Sequence, residues 1–95
     1  MITAATVTTA HGAAYTRRLC KHFSHRIPAS AEGNRGRIEF PFGICTIDCD
    51  EKAMHIRVEL ADPESADRAE GVIADHLVRM ANKDEPVVTW QRESL

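Results

Sequence analysis

Residues 37–61 read "RIEFPFGICTIDCDEKAMHIRVELA", and this stretch decides the fold. In its last part, "AMHIRVELA" (53–61), Met54, Ile56, Val58 and Leu60 alternate with His55, Arg57 and Glu59. Side chains along a strand point to opposite faces in turn, so the apolar set predicts a core face and the polar set a wet one. "RIEFPF" (37–42) and "ICTIDC" (44–49) read as two further strands. Gly43 and "DEK" (50–52) make the connections short, which predicts an antiparallel meander.

Outward from the meander, "TAATVTT" (3–9) is rich in Thr and Val and reads as a strand. "AHGAAYTRRLCKHFSH" (10–25) reads as a helix with Thr9 as N-cap. Pro28 ends it by pushing Ile27 into extended geometry. "EGNRG" (32–36) is a turn by composition. After the meander, Asp62 caps a second helix that has Pro63 at its first position and runs to Ala81 or Asn82. "VVTWQ" (87–91) is the closing strand. The order βα–βββ–αβ predicts a single α+β domain over residues 1–95, a two-layer sandwich with both helices on one face of a largely antiparallel sheet.

The 95 residues are 43% hydrophobic and 27% charged, the balance of a globular domain. No apolar run is long enough to span a bilayer, and "MITAATVTTA" lacks the regions of a signal peptide, so a cytoplasmic location is expected. Three cysteines without regular spacing argue for reduced thiols rather than a disulfide framework. A pI of about 6.2 argues against nucleic acid as a partner. Charge is uneven all the same: residues 1–37 carry six Lys or Arg against one acid, Glu32. Such asymmetry suits an anionic ligand, association through complementary patches, or simply two solvated faces.

The residues that can carry chemistry lie mainly on the two helices. On a helical wheel Gly12, Tyr15, Thr16, Leu19, Cys20 and Phe23 share a broad core face. His11, Arg18, His22 and His25 form a separate stripe bordered by Tyr15. Cys20 and His22 point about 160° apart, so C-x-H-x-x-H cannot close on one ion while helical. His22 and His25 can share a divalent ion or an anion, or can simply offset the dipole at a helix end. In the second helix Ala69, Val72, Ile73, His76 and Met80 share a face, with His76 near its centre. A histidine there is expected to be largely buried, either bonded to a carbonyl or water, or facing the first helix as ligand or base. Cys45 and Cys49 point inward with Ile47 but lie about 13 Å apart along their strand, too far to share a metal. They read as core thiols, with pairing to Cys20 across the core as the alternative.

"LCKHFSHR", "GRIEFPFGICTID", "ADHLVRMA" and "VVTWQR" together resemble a small bacterial family catalogued as domain of unknown function 2218. The resemblance runs from Thr3 to Arg92. Its marks fall on Cys20, Lys21, His22, Phe23 and His25, on Pro41, Phe42 and Gly43, on Asp75, His76 and Leu77, and on Trp90. It implies no activity, catalytic residue or cofactor. The association of some relatives with siderophore-interacting reductases implies a role near iron handling.

These readings converge on a binding protein. Its site would lie between the helices or along the first helix's stripe, with His22, His25 and His76 as ligands to a divalent transition metal, zinc or iron, or to an iron-related small molecule. Cys20, Tyr15 and Arg18 are further candidates for ligand contact. The alternative is a protein–protein interaction module, in which the basic first helix docks on an acidic partner or on the second helix of another copy as a homodimer. An enzyme using His76 as base or Cys20 as nucleophile ranks third.

Overall fold

The protein is described from a computed structural model covering residues 1–81 and 83–93. In chain order it runs β1 (Ile2–Thr8), α1 (Gly12–Phe23), β2 (Ala29–Glu32), β3 (Arg35–Phe40), β4 (Gly43–Cys49) and β5 (Ala53–Leu60). A 3-10 turn at Pro63–Ser65, α2 (Ala66–Met80) and β6 (Trp90–Glu93) follow. All six strands form one antiparallel sheet in the order β2-β3-β4-β5-β1-β6, with both helices packed on one face. This is the expected α+β sandwich. No described helix is long and apolar enough to cross a membrane.

The meander holds its register because the apolar face of each strand meets its neighbour's. Ile47 pairs with Ile56, Cys45 with Val58 and Cys49 with Met54, and all six are buried. Thr3, Ala5 and Val7 of β1 continue this face beside Val58, Ile56 and Met54. Burying each large aliphatic side chain contributes about 1.5–3 kcal/mol, so slipping one strand by a residue would forfeit several such terms together. Two glycines permit the close approaches. At Gly43, where φ is +157°, an added Cβ would lie 2.1 Å from the Glu59 carbonyl oxygen, so the Pro41–Phe42 turn can fold only there. At Gly36 a Cβ would lie 2.6 Å from Thr16 Cγ2 and 2.9 Å from Cys20 Sγ, so α1 rides directly on β3.

Several boundaries differ from the sequence reading, each for a local reason. α1 starts at Gly12, with His11 as N-cap, while Thr9 Oγ1 accepts from the His11 backbone N–H. The helix stops at Phe23 rather than His25, where the Arg26 and Ile27 amides both turn back onto the Phe23 carbonyl. β2 is a strand the sequence reading does not contain, with only Glu32 of it falling in the 32–36 turn; its alternation of small residues becomes a strand only through pairing with β3. Asp62 does cap, accepting from the Glu64 amide, but it opens the 3-10 turn before α2. α2 ends at Met80, and Asn82, the later of the two expected ends, lies outside the described residues. The closing strand begins at Trp90, not Val87, because β6 pairs only with Ile2 to Ala5 of β1.

Candidate functional site

α1 and α2 meet along an antiparallel seam marked by three contacts. Tyr15 reaches Lys83 and Asp84, Arg18 Nη1 donates to the Met80 carbonyl at 3.2 Å, and His22 faces His76. At the His22 end the seam opens into a cleft of about 440 Å³ lined by His22, Phe23, His25, Arg26 and His76. Two other hollows, of about 260 and 250 Å³, lie on the sheet around Arg37 and Thr46 and around Thr6 and Gln91. The cleft is larger than either and holds the helix residues singled out above.

The geometry follows from where α1 stops. Phe23, in its last position, turns its ring inward onto Phe40 of β3, edge to face with centres 5.0 Å apart. Phe40 in turn stacks on Phe42 at 4.7 Å, so the aromatic floor is braced from below. The His76 ring lies over this floor, 4.8 Å from Phe23 and 5.0 Å from His22 between ring centres. His25 and Arg26, in the turn just past the helix, form an exposed rim.

His76 Nδ1 lies 2.7 Å from the Val72 carbonyl oxygen one turn earlier. A carbonyl can only accept, so Nδ1 carries a proton and donates. In the neutral ring that leaves Nε2 with its lone pair free to bind.

His76 is half-buried rather than buried as expected. The covered row of α2 is Ala66, Ala69, Ile73 and Leu77, which rotates the helix so that His76 sits at the edge of the interface. The three-histidine metal set is not assembled: among the described residues no group of three or more His, Cys, Asp or Glu is placed to hold an ion. His22 and His76 come together, and His25 stands on the rim of the same cleft.

Cys20, Tyr15 and Arg18 do not line it. Cys20 is buried under Gly36, and burial pushes its thiol above the ordinary range, the wrong direction for a nucleophile. Cys45, fully enclosed, is pushed up to about 12 by burial, and all three cysteines are free. Tyr15 is buried, donating to Asp84 Oδ2 at 2.8 Å and accepting from the Lys83 amide at 3.1 Å.

Two cleft residues had other readings in the sequence. Phe23 falls on the core face of the wheel and packs against the core while half-buried, and Arg26 reads from the sequence as one of the basic residues at the helix end. Both lie within four positions of His22, Phe23 at the last position of α1 and Arg26 in the turn that follows it. Nothing local in the sequence marks the two polar clamps elsewhere in the fold. In one, Asp84 accepts from both Thr9 and Tyr15. In the other, Glu70 accepts from Thr3 and from two nitrogens of Arg92.

No curated protein matches this chain. Among solved structures, the NMR structure of PA4090 from Pseudomonas aeruginosa is similar at a TM-score of 0.75 and 30% identity, over 96% of each chain. A family model described as "Uncharacterized protein conserved in bacteria (DUF2218)" matches residues 4–91, almost the whole of the sheet and both helices. The chain therefore belongs to the DUF2218 family of bacterial proteins.

Proposed function

We propose that this protein binds a small, planar, anionic molecule in the cleft between the end of α1 and α2. The observation that carries the reading is the composition of that cleft: three rings, His22, Phe23 and His76, with the exposed cation Arg26 also in its lining. Flat rings offer stacking surface to a planar body. A guanidinium is always charged and matches a carboxylate in two-pronged geometry. A volume of about 440 Å³ falls in the range that holds small organic ligands.

Salicylate, a planar carboxylate, is a suitable first probe. Titration followed by amide chemical shifts should move residues 22–26 and 72–76 together, and Arg26→Gln should weaken binding about tenfold. An unchanged spectrum up to about 10 mM salicylate removes the proposal.

A further inference from the structure

We infer that His22 and His76 form a two-imidazole half-site for a transition-metal ion, completed by oxygen donors of the small ligand in the same cleft. The inference rests on the ligand-binding reading above and names the ligand's class: a chelating anion that arrives with, or captures, an ion such as Zn²⁺, Co²⁺ or Fe²⁺.

Three observations carry it. The first is spacing. Metal–nitrogen bonds are about 2.0–2.1 Å and the donor lies about 1.2 Å from its ring centre, so two imidazoles on one ion hold their ring centres about 4.5–5.2 Å apart. The His22 and His76 rings are 5.0 Å apart and tilted by 44°.

The second is the orientation of His76. Metal-bound histidines almost always donate their other ring N–H to a carbonyl or carboxylate, which fixes the tautomer and strengthens the donor. The 2.7 Å contact from His76 Nδ1 to the Val72 carbonyl is that arrangement, leaving Nε2 as the ligand.

The third is room beside the two rings. Zinc-like ions take about four donors, and among the described residues no group of three or more is placed to hold one, so in this proposal the remaining positions go to oxygen donors of the small ligand. The cleft has room for a whole chelator beside the ion, and Arg26 on its rim suits the chelator's negative charge.

The test uses Co²⁺ as a spectroscopic ion and salicylate, whose carboxylate and phenolate chelate, as the anion. Co²⁺ titrated into the protein should bind with one-to-one stoichiometry and a visible absorption band, and salicylate should tighten that binding at least tenfold. His22→Gln or His76→Gln should each weaken Co²⁺ binding about tenfold or more with unchanged circular dichroism. Arg26→Gln should reduce the salicylate enhancement by about tenfold. Equal Co²⁺ affinity in wild type and the His22→Gln/His76→Gln double variant overturns the inference, and so does Co²⁺ binding indifferent to salicylate. If salicylate alone still shifts residues 22–26 in that case, the half-site has failed while the cleft reading stands. If neither probe binds, both fall.

Discussion

The two ends of the α1–α2 seam use polar side chains in opposite ways. At the Tyr15 end, Asp84 Oδ2 accepts from Thr9 and Tyr15, and the Tyr15 hydroxyl accepts from the Lys83 amide. That ring of bonds ties the segment after α2 back to the start of α1. At the His22 end, His76 bonds to the Val72 carbonyl of its own helix, and His22, Phe23, His76 and Arg26 line an open cleft. Hydrogen-bonding capacity consumed within the chain closes a fold; capacity turned toward a cleft is available to a ligand. The comparison predicts a double dissociation: changes at one end should alter stability and spare binding, and changes at the other should do the reverse.

The largest effect belongs to the cleft. The His22→Gln/His76→Gln double variant should lose about a hundredfold or more in Co²⁺ affinity, with a melting temperature within about 2 °C of wild type. Calorimetric titration paired with a thermal melt checks both. A melting temperature lowered by more than about 5 °C would show that these rings support the fold, and the contrast would collapse.

The next effect belongs to the clamp. Thr9 and Tyr15 are 3% and 1% exposed, so Asp84→Ala strips the acceptor from two buried hydroxyls. Leaving buried donors unsatisfied is costly, and the melting temperature should fall by about 5–10 °C while salicylate affinity changes by less than about twofold. Tyr15→Phe, which spares the Thr9 bond, should lower it by roughly half as much.

How much of this was legible beforehand follows from the range of each interaction. The β5 alternation and the inward Cys45 and Cys49 are set by residues within a few positions of one another and are legible in the sequence, as is the Asp62 cap, although it opens the 3-10 turn ahead of α2. β2 was invisible because Ala29 to Glu32 carries almost no strand propensity of its own and exists by pairing with β3. The misplaced His76 shows the limit of a wheel. A wheel gives an apolar direction, but Ala66 and Leu77 decide which side of that direction the sheet covers. Whether His22 meets His76 depends on how the two helices pack, which neither helical wheel reports. The clamps join Thr9 to Asp84 and Thr3 to Glu70, pairs so far apart in the chain that no periodicity reports them.

A third test sharpens the comparison through pH. Hydrogen bonds from Thr9 and Tyr15 hold Asp84 below the ordinary carboxylate value, and Arg92, followed by Thr3, does the same for Glu70. A carboxylate with a depressed folded value binds protons more readily when unfolded. Its contribution is therefore complete above the ordinary range and is lost as pH falls through the folded value. The ordinary values are 3.8 for Asp84 and 4.5 for Glu70, so these groups should contribute no change in melting temperature at neutral pH and a decline from about pH 4.5 downward. In Asp84→Asn and Glu70→Gln that decline should be shallower, which melts across the acid range will show. An unaltered slope would mean that the clamps do not govern acid stability.

The smallest expected effect concerns Cys20, two positions from His22 in the motif-like stretch "LCKHFSHR". If proximity in sequence made a site, Cys20→Ala should damage ion binding as much as His22→Gln. The helix turns the two side chains about 160° apart, and Cys20 Sγ would lie 2.9 Å from a Cβ on Gly36, beneath α1 rather than at the cleft. Co²⁺ and salicylate affinities of Cys20→Ala should therefore stay within about twofold of wild type, even though loss of a packed sulfur lowers the melting temperature by a few degrees. Thiol labelling of the native protein gives an independent reading of the same placement. With all three cysteines buried and their thiols pushed upward in pKa, labelling near neutral pH should proceed only through opening of the fold, and bound Co²⁺ should slow it by stabilising the native state without touching sulfur. A cobalt–thiolate absorption band in wild type that Cys20→Ala abolishes would put sulfur in the site and end the contrast drawn between core thiols and cleft imidazoles.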